Sequence, residues 1–157
     1  MGLFSFIKDA GAKLFGHKEE EVIATKSIQE INFEKAQKLM ENINAEGLPV
    51  QDLNVVIDGE RALVFGTVPD QATKEKVILM VGNTEGVAEV DDKMDVEVSE
   101  PESRFYTVKK GDYLSKISKE VYGDASKYNV IFEANKPMLK DPDLIYPGQV
   151  LRIPNLD

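Results

Sequence analysis

A short polar segment, Ser99-Glu100-Pro101-Glu102-Ser103, divides this 157-residue chain into two parts that each carry their own pattern of helices and strands. Proline interrupts helices and strand ladders, and Ser and Glu favour solvent, so these five residues predict a linker. Each remaining part is long enough for one small domain. The sequence therefore predicts two small modules joined at residues 99–103.

The first module, residues 27–98, has the predicted order α-β-β-α-β. Its elements are a helix at 27–45, strands at 53–57 and 62–65, a helix at 70–81 and a strand at 87–98. Ser27 begins a capping-box pattern, and Asn32 is a second possible N-cap for the first helix. Asp70 is a suitable N-cap for the second helix. The alternation of the last strand is irregular at Asp91 and Asp92, which we interpret as a solvated or bulged edge. The order predicts helices on one face of a small mixed sheet.

The second module, residues 104–157, has the predicted order β-α-α-β. Its elements are a strand at 105–108, a helix at 112–122 capped by Asp112, a helix at 126–135 and a strand at 150–153. Gly123 is expected to end the first of these helices, and Pro147-Gly148 to form a turn. The chain is therefore assigned to the α+β class, with two modules.

Residues 1–26 are predicted to form an amphipathic helix at 2–16 followed by a connector. Apolar residues recur there at helical spacing. They are Leu3, Phe6, Ile7, Ala10 and Leu14. A helix on a membrane surface usually has a polar face rich in Lys and Arg, whereas this one mixes Lys8 and Asp9. We therefore favour a helix that docks on its own protein over a membrane-surface helix.

The charge of the chain is unevenly distributed. Residues 1–103 carry 10 Lys or Arg and 21 Asp or Glu, whereas residues 104–157 carry 9 and 7. An acidic surface repels nucleic acid and anionic lipid and attracts cations. The first residues lack the basic and apolar regions of a secretory signal, and no apolar run is long enough to span a membrane. We therefore expect a cytoplasmic protein with no nucleic-acid partner and no stable membrane insertion.

The sequence also argues against catalysis. There is no cysteine, and the one histidine, His17, lies in the polar connector. No Ser-His-carboxylate set can be placed on rigid elements, and no glycine-rich phosphate loop is present. The expected role is therefore binding.

The second module resembles a LysM domain. The matching stretches are YTVKKGDYLSKIS at 106–118, YG at 122–123, IFEAN at 131–135 and IYPGQVLRIP at 145–154. The first module resembles a BON domain in its element order, in VFGTV at 64–68 and in GVAEVDD at 86–92.

The combination of these two domains after the start MGLFSF resembles the bacterial cytoplasmic potassium-binding proteins. This resemblance implies K⁺ as the ligand, a conformational change on binding and a role in sensing potassium or osmotic stress. We expect a monomer.

Potassium is suited to several backbone carbonyls at once, so its site leaves no side-chain motif. Helix C-termini provide such carbonyls at the negative end of the helix dipole. Guided by the resemblance, we predict that two glycine-containing segments cage one K⁺. The predicted carbonyl donors are those of Ile7, Ala10, Ala12, Gly82, Thr84 and Val87.

The alternative function is that of a cell-envelope or stress-associated scaffold that binds glycan through LysM and lipid through BON. LysM domains usually bind N-acetylglucosamine polymers such as peptidoglycan. The groove that the family uses lies between two loops. Here it corresponds to Gly111, Asp112, Tyr113, Leu114, Asn135, Ile145, Tyr146 and Pro147. Another alternative is that this groove binds a protein partner, which the sequence does not identify.

Overall fold

The computed structural model describes residues 2–6, 27–84 and 86–156, which form two α+β units. The N-terminal unit contains β1 (Gly2–Ser5), α1 (Ile28–Ala45), β2 (Gln51–Asp58), β3 (Arg61–Asp70), α2 (Gln71–Gly82) and β4 (Glu89–Val98). The C-terminal unit contains β5 (Arg104–Thr107), α3 (Leu114–Tyr122), a 3₁₀ turn (Ala125–Lys127), α4 (Tyr128–Ala134) and β6 (Val150–Ile153). The predicted α+β class is confirmed.

The N-terminal unit is a four-stranded mixed sheet with the strand order β1-β4-β3-β2. The hairpin partners β2 and β3 are antiparallel, whereas β3 and β4 are parallel. Helix α1 packs on β2, α2 packs on β3 and β4, and the two helices contact each other, so both lie on one face. Both helices begin as predicted, because the Ser27 and Asp70 side chains accept hydrogen bonds from the backbone of the first turn.

The predicted N-terminal helix is wrong at its start, because Gly2–Ser5 forms a strand. This strand is antiparallel to β4, with Gly2 opposite Asp92 and Ser5 opposite Glu89. A short apolar run does not distinguish a helix from a strand by its spacing, and the exposed edge of β4 provides ladder hydrogen bonds that a helix would leave unused. The remainder of the predicted helix and the connector, residues 7–26, lie outside the described residues.

The interpretation of Asp91 and Asp92 as a solvated or bulged edge is also wrong. Asp92 is only 1% exposed and lies on the same face of β4 as Val90 and Met94, so the alternation continues without interruption. Strand β1 covers the edge of β4 and makes it an inner strand. The Lys74 ammonium lies 2.8 Å from Asp92 Oδ2 and compensates for the burial of this carboxylate.

In the C-terminal unit, β5 and β6 form an antiparallel pair, and α3 and α4 contact each other. Asp112 does not cap α3 as predicted, since the N-cap is Tyr113 and has no side-chain capping bond. The Asp112 carboxylate instead accepts hydrogen bonds from the Lys109 N–H at 2.9 Å and the Tyr106 hydroxyl at 2.7 Å. Its role is therefore to close the turn after β5.

Helix α2 lies between the sheet and the C-terminal unit. Residues 77–82 are all buried, although a helix that covers a sheet usually buries only one side. The second side of α2 contacts β6 of the C-terminal unit. Helix α2 is therefore one of the places where the two units meet.

Candidate ion site

The end of α2 and the loop that follows it form a tight turn, which we call the α2 corner (residues 81–84 and 86–88). Asn83 is the C-cap residue of α2, and its N–H donates to the Leu79 carbonyl at 2.9 Å. The Thr84 N–H donates to Val81 O at 3.2 Å, and the Thr84 hydroxyl to Met80 O at 2.7 Å. These bonds close the turn at the C-terminal, negative end of the α2 dipole.

The N-terminal strand ends against this corner. The Phe6 N–H donates to the Ala88 carbonyl at 2.8 Å. The Phe6 ring packs so closely on Gly82 that a Cβ added at Gly82 would lie 2.0 Å from Phe6 Cζ. Glycine at position 82 therefore allows Phe6 to lie directly against the α2 corner.

The three described residues of the predicted ion site lie together in the α2 corner. Gly82, Thr84 and Val87 are all buried, and the Thr84 carbonyl accepts the Val87 N–H at 3.2 Å. A carbonyl oxygen has two lone pairs, so this bond leaves Thr84 O with a second acceptor position. The other three predicted donors, Ile7, Ala10 and Ala12, lie outside the described residues. The complete carbonyl set therefore stays a prediction.

Asn83, which the sequence analysis did not single out, connects the α2 corner to the C-terminal unit. Its side-chain amide donates to the Val150 carbonyl at 2.9 Å, and its side-chain oxygen accepts the Val150 N–H at 2.9 Å. The Tyr146 hydroxyl lies 3.4 Å from the Asn83 backbone carbonyl. A C-cap Asn is common, and nothing in the local sequence indicates a partner 67 residues away.

A second polar contact joins the two units near the start of α2. Glu75 is 1% exposed, and its carboxylate accepts the Arg152 Nε–H at 2.8 Å and the Ser103 N–H at 2.8 Å. Arg152 also donates to the Ser103 hydroxyl at 3.1 Å, so the end of the linker is held between the units. Burial alone would raise the pKa of Glu75, but hydrogen bonds from its neighbours outweigh this effect and hold the pKa below its ordinary value.

Two further contacts lie at the margins of this interface. The rings of Phe4 in β1 and Phe105 in β5 meet edge to face, with 5.6 Å between their centroids. The Lys140 ammonium lies 2.7 Å from the Glu46 carboxylate in an exposed ion pair. The C-terminal unit therefore contacts β1, α2 and the residue that follows α1.

Comparisons with known proteins agree with both module assignments. The BON domain model matches residues 34–98, and the LysM domain model matches residues 106–154. Over 155 residues the chain is 50% identical to the potassium binding protein Kbp of Escherichia coli O6:H1, an alignment that covers 98% of this chain and 99% of that protein. This chain belongs to the Kbp family. The family resemblance inferred from the sequence is thus confirmed.

A second relative shares only part of the chain. An uncharacterized protein of Deinococcus radiodurans is 55% identical over 49 residues, which are 31% of this chain and 19% of that protein. The E. coli relative, which aligns with 98% of this Kbp-family chain, is named for potassium binding and not for a reaction. Among the described helices of this Kbp-family protein, none has the length and apolar character needed to cross a bilayer.

The residues of the predicted glycan groove separate into two groups. Gly111, Tyr113 and Pro147 are exposed, and Asp112 and Ile145 are partly exposed.

The other three residues of the predicted groove are buried and contact other parts of the protein. Leu114 is 2% exposed, Asn135 bonds through its side chain to both backbone groups of Arg152, and Tyr146 points toward Asn83. Burial raises the pKa of Tyr146. The surface available to a glycan is therefore smaller than the sequence pattern suggests.

Proposed function

We propose that this Kbp-family protein binds one potassium ion through backbone carbonyls at the α2 corner. The observation that carries this proposal is the 50% identity, over nearly the full length of both chains, to a protein named for potassium binding. The position of Phe6 against Gly82 supports the proposal, because it brings the residue before Ile7 next to the predicted donors of the corner.

The chemistry of the α2 corner suits a large monovalent cation. Several carbonyl dipoles acting together can replace the hydration shell of K⁺, whereas single carboxylates hold it weakly. The C-terminal end of α2 adds the negative end of the helix dipole. The first 103 residues carry a strong excess of acidic side chains, which raises the local cation concentration. Gly82, Thr84 and Val87 would contribute carbonyls from the corner, and Ile7, Ala10 and Ala12 from the segment that follows β1.

We further propose that ion binding changes the conformational equilibrium of the protein, so that it acts as a cytoplasmic potassium sensor and not as an enzyme. An ion held by both the N-terminal segment and the α2 corner favours the state in which both are in place. The same ion stabilises the folded state by RT ln(1 + [K⁺]/Kd), so the gain in stability grows with the logarithm of the K⁺ concentration above the dissociation constant. The readout of this sensor is then the arrangement of its two modules.

The experiment that tests this function is a calorimetric titration of the intact protein with KCl and with NaCl at equal ionic strength. We expect one saturable site for K⁺ and no saturable heat with Na⁺, because the carbonyl cage replaces the hydration shell of the larger ion. Titrations with Mg²⁺ and Ca²⁺ are the control for general attraction by the acidic surface. Equal binding of K⁺ and Na⁺, or binding of divalent ions alone, would contradict the proposal.

A further inference from the structure

The free edge of β6 is capped by two asparagine side chains, one from each module. The Val150 N–H and C=O bond to the side-chain amide of Asn83, and the Arg152 N–H and C=O bond in the same way to that of Asn135. A side-chain amide has the same donor and acceptor as a peptide group, so each asparagine replaces one residue of a neighbouring strand. Asn135 belongs to the LysM module itself, whereas Asn83 reaches this edge from the BON module.

Asn83 also controls the peptide planes on either side of it. The Gly82 carbonyl and the Asn83 N–H lie in one rigid peptide plane, and this N–H bonds to Leu79 O at 2.9 Å. The Asn83 carbonyl and the Thr84 N–H share the next peptide plane. Two bonds hold this plane in place, because the Thr84 N–H donates to Val81 O and the Asn83 carbonyl accepts from the Tyr146 hydroxyl. Any shift of Asn83 therefore rotates the plane that carries the Gly82 carbonyl.

We infer that Asn83 is a positioning residue that couples potassium binding at the α2 corner to docking of the LysM module on β6. This inference rests on the proposed function. Asn83 is 2% exposed and its side chain is bonded to Val150, so the side chain acts on the ion only through the backbone on either side of it. When the LysM module is docked, Asn83 is fixed and the Gly82 carbonyl is pre-oriented. Ion binding in turn favours the docked state.

The first test measures K⁺ affinity after Asn83→Ala, which removes both bonds to Val150. We expect K⁺ affinity to fall about ten-fold, a typical size for coupling between two sites. The matched control is Lys140→Ala, which breaks the exposed ion pair between Lys140 and Glu46 at the margin of the interface and leaves both bonds from Asn83 to Val150 in place. The control is expected to keep K⁺ affinity within about two-fold, since an exposed ion pair contributes little.

The second test needs no substitution and measures amide hydrogen exchange of the wild-type protein in KCl and NaCl. Coupling between two sites is reciprocal. Saturating K⁺ is therefore expected to slow hydrogen exchange of the Val150 amide by about the same factor by which Asn83→Ala lowers K⁺ affinity. The control amide is that of Val108, which bonds to Gln149 O at 2.8 Å inside the LysM module. Its exchange is expected to be the same in both salts.

The outcomes separate this inference from the proposed function. If the wild-type protein does not bind K⁺, the proposed function fails and the inference fails with it. If the wild-type protein binds K⁺ but Asn83→Ala binds it equally well, only the coupling is overturned. If Asn83→Ala does not fold, the wild-type exchange experiment decides, and equal Val150 protection in both salts overturns the coupling.

Discussion

Glu75→Ala is expected to lower the free energy of unfolding by about 3–5 kcal/mol, because it leaves the buried Arg152 guanidinium without its carboxylate partner. The substitution also removes the acceptor of the Ser103 N–H at the end of the linker. Urea denaturation followed by circular dichroism measures this loss. The matched control is Glu133→Ala, which removes the carboxylate of an exposed ion pair with Lys136 and is expected to cost about 0–1 kcal/mol.

A double substitution distinguishes the loss of a favourable ion pair from the cost of leaving one buried charge without its partner. Replacing both Glu75 and Arg152 with methionine removes the buried charges together and keeps apolar volume at the interface. Such replacements are often neutral or stabilising, so the double variant is expected to be more stable than Glu75→Ala. If Glu75→Ala costs no more than Glu133→Ala, the buried pair is not a determinant of stability.

Gly82→Ala is expected to weaken K⁺ binding at least ten-fold and to lower the free energy of unfolding by about 1–3 kcal/mol, the usual cost of overpacking. The added Cβ would lie within 2.3 Å of three atoms of the Phe6 ring, so the ring must move away from the corner. This movement displaces the backbone that leads into Ile7. Calorimetric K⁺ titration and urea denaturation measure the two effects.

The control for this substitution is Gly47→Ala. A Cβ at Gly47 meets no atom within 4 Å, but the φ of +79° makes alanine strained there, so stability falls without a steric clash. We expect K⁺ affinity to be unchanged in this control. A second variant combines Gly82→Ala with Phe6→Leu, whose shorter side chain makes room for the Cβ and is expected to recover part of the affinity. If Gly82→Ala binds K⁺ normally, the α2 corner is not the ion site.

The order of helices and strands was predictable because it depends on local signals. These signals involve residues that are close together in the sequence. They are the helix caps at Ser27 and Asp70, the hairpin between β2 and β3 and the glycine that ends α3. The strand at Gly2–Ser5 was not predictable in this way, because its hydrogen bonds come from β4, which lies far along the chain. Its identity depends on tertiary pairing and not on its own apolar spacing.

The candidate site was predictable only in part, for the same reason. The end of α2 and the glycine at 82 indicated a corner that could offer backbone carbonyls, and the described donors Gly82, Thr84 and Val87 all lie in that corner. The role of Asn83 depends on a strand edge in the other module, and that of Asp92 on Lys74 and on coverage by β1. Polar residues whose partners are distant in sequence leave no local pattern.

The most direct test of a main-chain potassium site is anomalous diffraction from crystals of the intact protein grown in rubidium chloride, since Rb⁺ resembles K⁺ and scatters anomalously. The proposed main-chain site predicts one strong peak at the α2 corner, coordinated by the backbone oxygens of Gly82, Thr84 and Val87 together with those of the N-terminal segment. A peak held by side-chain carboxylates elsewhere on the acidic surface, with none at the corner, would contradict it.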